Sequence, residues 1–384
     1  RTMYRLDPDQ TALLQRIESL ADEKIAPHAA AVDAESRFPL ESVAALAEAG
    51  LLGLTVPTEH GGMGQGMRVA VAALDAIGQR CASTGMVYLM HLCGVACYAA
   101  RPESAGEALK AAARGEHLST LAWSEKGSRS HFWAPMSQAR SVAGGVTLSA
   151  QKSWVTSAGV ANGYVISARS PESTGPMDTQ LFLVDRNAAG MTVAGAWNSL
   201  GMRGNASAPM SLQDVTIPTA QALSDPGQGF PRMMEILPWF SLGNAGISTG
   251  IAEAAVRSTT DHVTGKGFEH LGTKLADLPN LRERLARMRI QTDKTRAHLS
   301  MVLDKLESGA PDAMLGVLSA KASASGAAKE VTDLAMETCG GAAFSRHLSV
   351  ERNFRDARAA SVMAPTTDVL HDFIGKALCG MPLF

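Results

Sequence analysis

Trp154 and Thr156 stand two residues apart in Gln151-Lys152-Ser153-Trp154-Val155-Thr156-Ser157-Ala158-Gly159, a stretch that reads as β-strand and runs on through residues 160–166. On a strand, residues i and i+2 project from the same face. That face would offer a flat indole beside a hydroxyl. The pair suits a flat heteroaromatic cofactor, with Trp154 covering the ring and Thr156 meeting a ring heteroatom. An isolated W-x-T is more often a core Trp beside a surface Thr, so the surroundings decide. One such surrounding is Leu121-Ala122-Trp123-Ser124-Glu125-Lys126-Gly127-Ser128-Arg129-Ser130. Hydroxyls and backbone N–H groups in a Gly/Ser loop of this kind suit phosphate oxygens.

These residues need elements to position them. Helical periodicity dominates residues 7 to about 116, starting at Asp7-Pro8-Asp9-Gln10 and continuing through Leu13, Leu14 and Ile17. Helices are expected at about 40–50, 68–84, 86–100 and 103–113, with a turn-rich connector at 51–64. Short strands are expected at 118–124, 146–152, 163–170, 179–184, 191–196 and 210–217, separated by Gly, Pro, Asn and Ser clusters. Helices return at 231–265, 278–308, 312–339, 346–359 and 366–378. The fold class is therefore α+β. It comprises an N-terminal helical domain (1–116), a middle β-domain of short antiparallel strands (117–228) and a C-terminal four-helix-type bundle (229–384).

Composition narrows the function classes. The chain has 384 residues, enough for two or three domains, and a net charge of −2. With no basic patch or acidic tail, nucleic acid is not an expected partner. No apolar run is expected to reach the about 18 residues of a membrane span. The first residues lack the apolar core of a signal peptide, so the cytoplasm is the expected compartment. Five cysteines, an odd number spread along the chain, argue against a disulfide framework. Cys93 and Cys97 read as buried helix neighbours rather than metal ligands, and no metal is expected.

This order of segments, with these motifs inside it, resembles the acyl-CoA dehydrogenase superfamily of FAD flavoproteins. The resemblance spans nearly the whole chain. Residues 151–169 are close to the family's flavin segment. Val56 to Gly64 looks like its P-x-x-x-G-G-x-G turn, and 227–230 like its G-x-G-F entry to the bundle. Cys339-Gly340-Gly341 and Val350-Glu351-Arg352-Asn353-Phe354-Arg355-Asp356-Ala357-Arg358 look like its late signatures. The resemblance implies an FAD site made by Ser124, Ser130, Trp154, Thr156, Gly340, Gly341, Thr366 and Asp368. It also implies a homo-oligomer, dimer or tetramer, in which a second copy completes that site. Arg355–Asp356 reads as a buttress of the bundle.

The departures concern chemistry. Removing a proton α to a thioester carbonyl needs a base, a carboxylate in most of the family. The resemblance places that carboxylate at Ala364 or, in some members, at Phe240, and neither can serve. Met363, Ala364 and Phe240 are then walls of a substrate pocket suited to a small or aromatic substrate. His91, on a helix that borders the flavin in the family, is a candidate for moving a proton, although a lone His on an apolar helix is more often a satisfied core residue. Glu337 replaces the usual Gln near the adenosine diphosphate. The leading expectation is FAD-dependent oxidation of a small or branched acyl thioester, with acyl-CoA as the candidate substrate and a non-standard base. The alternatives are an N- or S-hydroxylating flavin monooxygenase and an FAD-binding, non-catalytic subunit of a hetero-oligomer.

Overall fold

A computed structural model describes residues 3–384. The first helix, α1 (Pro8–Leu20), starts as its sequence dictates. The Asp7 carboxylate accepts the Gln10 amide at 2.8 Å, and the Gln10 side chain accepts the Asp7 amide at 3.1 Å. Pro8 needs no partner at the first helical position. After a π turn (Ala21–Ile25) and a 3-10 turn (Ala26–His28) come α2 (Ala29–Glu35), α3 (Leu40–Glu48), α4 (Met67–Gly78), α5 (Ala82–Ala99) and α6 (Pro102–Ala113). The turns at 21–28 and α2 were not foreseen. The pattern expected over 68–84 divides at Gln79–Cys81 into α4 and the start of α5.

Helix α5 corrects one expectation. Its 18 residues are long and apolar enough, by length and composition, to cross a membrane, yet 89% of them are buried inside the protein. An all-round apolar helix belongs in a core as readily as in a bilayer, and here α4, α7 (Gly229–Gly265) and the first strand cover it.

The middle region holds β1 (Ser119–Ala122), β2 (Arg140–Val142), β3 (Gly145–Val155), β4 (Gly163–Arg169), β5 (Thr179–Asp185), β6 (Met191–Val193) and β7 (Ala208–Pro218). They form two sheets of order β1-β4-β5 and β2-β3-β7-β6, whose apolar faces share a core that includes Leu148, Val155, Ile166, Phe182 and Leu212. Two expectations fail here. The strands are not all antiparallel, because β1 runs parallel to β4 from Ser119↔Gly163 to Ala122↔Ile166. A parallel pair needs a long crossover, and the segment containing β2 and β3 supplies it. Nor are the strands all short: β3 and β7 each have 11 residues.

Helix α7 leaves the β region and runs 37 residues into the bundle with α8 (Pro279–Glu307) and α9 (Ala313–Cys339). Its Gly250 lets α4 pack at backbone distance, since a Cβ there would lie 2.3 Å from the Asp75 carbonyl oxygen. A small exposed hairpin, β8 (Gly267–Phe268) and β9 (Thr273–Lys274), follows α7. Helices α10 (Gly341–Phe344), α11 (Val350–Asp356), α12 (Ala359–Val362) and α13 (Thr367–Leu378) complete the fold. The single helix expected over 346–359 is thus two pieces, α11 and the start of α12.

Candidate flavin and substrate site

The end of β3 is not a regular strand. Its register against β7 shifts between Lys152 and Val155, and Trp154 and Ser157 have φ of 58° and 60°. The i, i+2 rule therefore fails at the residues it was applied to. Trp154 is 67% exposed, whereas Thr156 is buried. The indole makes an edge contact with Trp197, with ring centroids 5.7 Å apart and planes at 75°. Trp197 is fixed by donating from Nε1 to the Met202 carbonyl at 2.9 Å. Thr156 Oγ1 lies 3.0 Å from Ser207 Oγ. With Ser207 donating, the Thr156 O–H stays available to a ligand.

The Gly/Ser loop is fastened to this strand by Lys152 and Glu125, to which the sequence motifs alone assign no role. Lys152 lies on the inward face of β3, in line with Leu148 and Ala150. Its ammonium, fully buried, donates to Glu125 Oε1 at 2.7 Å and to the Ser167 carbonyl at 2.6 Å. The Glu125 carboxylate also accepts the amides of Met136 at 2.8 Å and Ser137 at 2.9 Å, and the Ser137 hydroxyl. Burial works to raise the Glu125 pKa, but Lys152 and Ser137 outweigh it and keep the carboxyl below its ordinary range. The signal was present: a lysine at an inward strand position needs a buried counter-charge.

Fastened in this way, the loop brings Ser124 to β3, where the Ser153 amide donates to the Ser124 carbonyl at 3.0 Å. Gly127 and Arg129 have φ of 104° and 49°. Among the described residues, the amides of Gly127, Arg129 and Ser130 have no hydrogen-bond partner. Unpaired amides in such turns form anion-binding concavities. Ser130 is half-buried beside them, and Arg129 is exposed.

On the bundle side, α7, α9 and the turn between α12 and α13 converge. Phe240, Met363 and Ala364 are half-buried. Asn244 Nδ2 donates to Met363 Sδ at 3.4 Å. The buried Asn244 Oδ1 and Ser241 Oγ have no partner among the described residues. Lys321 of α9 is buried, with its ammonium 5.9 Å from the Phe240 ring centroid. It donates to the carbonyls of Ala360 and Met363, each at 2.9 Å, and of Pro365 at 2.8 Å. Sequence reasoning overlooked Lys321, because nothing in the surrounding alanine-rich helix marks it as inward-facing.

The remaining candidates are dispersed. His91 is fully buried, with Nε2 2.7 Å from the Leu52 carbonyl and Nδ1 accepting the Ser119 amide at 3.0 Å. These bonds set the Nε2–H tautomer and occupy both nitrogens, and burial pushes the pKa down to about 4. His91 thereby joins the 51–54 connector and β1 to α5, and neither nitrogen is left to move a proton. Gly340 and Gly341 form an exposed corner where an added Cβ would meet nothing within 4 Å. No hydrogen bond among the described residues links this corner to the Trp154 strand. Thr366 is the residue before α13, where its side chain caps nothing, and Asp368 is exposed in the first turn. Glu337 faces Arg284 at 3.8 Å. Arg355 donates to Asp33 at 2.6 and 2.8 Å, to Glu351 at 2.8 Å and to the Leu200 carbonyl at 3.0 Å.

The chain is thus a helical layer, a two-sheet middle and a helical bundle, with an exposed indole and a loop of free amides on the β region. Comparison with known proteins identifies it further. Residues 7–116, 120–215 and 227–379 match the N-terminal, middle and C-terminal domains of acyl-CoA dehydrogenase. The chain belongs to the acyl-CoA dehydrogenase family and is an acyl-CoA dehydrogenase-like flavoprotein oxidoreductase. The mitochondrial short-chain specific acyl-CoA dehydrogenase of Bos taurus is 28% identical over 363 residues, covering 93% of this chain and 87% of that one. The butyryl-CoA dehydrogenase structure from Megasphaera elsdenii superposes with a TM-score of 0.90 at 23% identity, over 98% of this chain and 99% of that one. A structure of PigA with FAD and proline gives 0.90 at 18% identity, over 98% of each chain. These two structures attest to the fold.

Proposed function

We propose that the chain binds FAD and oxidises the CH–CH bond of a small or branched acyl thioester, without a carboxylate base at position 364 or 240. The observation that carries the cofactor assignment is Trp154, a large indole left 67% exposed on a strand end whose left-handed backbone turns it outward. What supports the reading is the combination of that flat apolar face with the unpaired amides of the neighbouring Gly/Ser loop, which suits a heteroaromatic ring carrying a diphosphate. Trp154 would cover the ring and Thr156 would donate to it. Ser124 would meet its polar edge, while Ser130 and the free amides of the loop would take the diphosphate. Gly340, Gly341, Thr366 and Asp368 would complete the site, with a second copy of the chain contributing. When bound, FAD supplies a two-electron acceptor. Phe240, Met363 and Ala364 would enclose the acyl group and exclude water. Phe240 would narrow that enclosure and favour a short chain over a long one.

A second reading is favoured by the same wall. With Ala364 and Phe240 at both expected base positions, an oxygenation at nitrogen or sulfur needs no carbon acid deprotonated. Product analysis separates the readings. FAD-loaded protein given a panel of short and branched acyl-CoAs should yield α,β-unsaturated thioesters. Hydroxylated products from amines or thioethers, with a reductant and oxygen supplied, would replace this proposal by the second. Neither product, in protein that holds FAD, would point to the non-catalytic subunit.

A further inference from the structure

We propose that Lys321 is a positioning residue: its buried ammonium sets, from behind, the backbone of the Met363–Pro365 turn that walls the acyl site. The role at that wall rests on the function proposed above; the grip on the turn does not. Lys321 is 1% exposed, and no carboxylate pairs with it among the described residues. Its partners are the three carbonyls of Ala360, Met363 and Pro365, all within 2.9 Å. The Ala360 carbonyl belongs to α12, and the other two flank Ala364. One cation on α9 therefore fixes both the exit from α12 and the turn into α13.

The chemistry of this arrangement is specific. Three acceptors call for three N–H donors, which the ammonium has and the neutral amine lacks. Every donor is used, so Lys321 has no lone pair to offer as a base while it grips the turn. Burial opposes the charge, pulling the pKa down to about 7. Burying a cation without a counter-ion is expensive, and an apolar side chain of similar length would pack α9 more cheaply. What the ammonium adds is a fixed conformation for a turn with no regular structure of its own. The Met363 side chain, by contrast, packs half-buried against the core and receives one weak N–H···S contact from Asn244 at 3.4 Å. The wall thus has a rigid backbone and a compliant side chain, which suits a thioether adapting to the acyl group it touches.

The test compares Lys321→Met and Lys321→Arg with the wild type in FAD-loaded protein. Hydrogen–deuterium exchange is followed across residues 360–367, α9 and the β region, together with kcat and KM for the best acyl thioester. The expected result for Lys321→Met is exchange across 360–367 that rises by tenfold or more, with the β region unchanged. Activity should fall about tenfold or more, mainly in kcat, and Lys321→Arg should recover part of both losses. Unchanged exchange across 360–367 would overturn the proposal. So would a uniform rise across the whole chain, which would mean that Lys321 contributes only to global stability. If no acyl thioester is oxidised even by the wild type, the function proposed above fails while the exchange experiment still decides the grip on the turn.

Discussion

At the scale of single residues, Trp154 and His91 show how the same types of side chain part company once placed. Trp154 is exposed, so Trp154→Ala should change stability by less than about 1 kcal/mol. It should weaken FAD binding about tenfold and alter the flavin absorbance. Unchanged affinity and spectrum would remove the indole from the site. His91 is the opposite case. Its folded pKa lies near 4 against an ordinary 6.5, so the unfolded chain takes up a proton first as pH falls. Its neutral form favours the fold fully above about pH 6.5, and that contribution is lost as pH drops towards 4. The shift corresponds to roughly 3 kcal/mol. Urea midpoints measured from pH 7 to 4.5 should fall with acid, and His91→Gln should flatten part of that fall. His117, also held near 4 by burial, accounts for part of the remainder. Equal slopes in wild type and variant would contradict this role.

At the scale of elements, the legible and the illegible parts of the sequence have physical reasons. The helix starting at Asp7-Pro8-Asp9-Gln10 was legible because its cap is local chemistry. The long helices α7, α8 and α9 were legible because many turns of apolar spacing outweigh any one exception. The end of β3 was not, because a register shift and two positive φ values break the period of two on which the reading depended. The parallel β1–β4 pair was hidden because its partners lie about 40 residues apart, beyond any local pattern. Motif order pointed to Ser124, Ser130 and Trp154; the inward strand position of Lys152 signalled a buried counter-charge, but that Glu125 supplies it is visible only in three dimensions. Glu125→Gln leaves the Lys152 ammonium buried without its counter-charge, and should cost about 3 kcal/mol or more in unfolding free energy. The loop amides should also exchange faster. A cost below about 1 kcal/mol would mean that the pair does not fasten the loop.

At the scale of the whole molecule, three regions are joined by one charged knot. Asp33 of α2 receives Arg355 of α11 and, through its backbone carbonyl, Arg203 of the segment before β7 at 2.7 Å. Next to it, Asp356 accepts the Met202 amide at 2.7 Å. This knot supports the expectation that Arg355–Asp356 buttresses the bundle, and extends it to the β region and the N-terminal helices. Arg355→Ala should lower the unfolding free energy by about 3 kcal/mol, because Asp33 and Glu351 lose their close partner and keep only the longer contacts to Arg346 and Arg203. A loss under about 1 kcal/mol would show the knot to be dispensable. The same joining places the strand end of Trp154 and the turn of Ala364 in one framework, as two-electron chemistry across a flavin requires. Mixing FAD-loaded protein anaerobically with a panel of short and branched acyl-CoAs tests that most directly. Bleaching of the flavin absorbance by at least one of them is the predicted result. An unchanged spectrum with every thioester, in protein shown to hold FAD, would contradict the account.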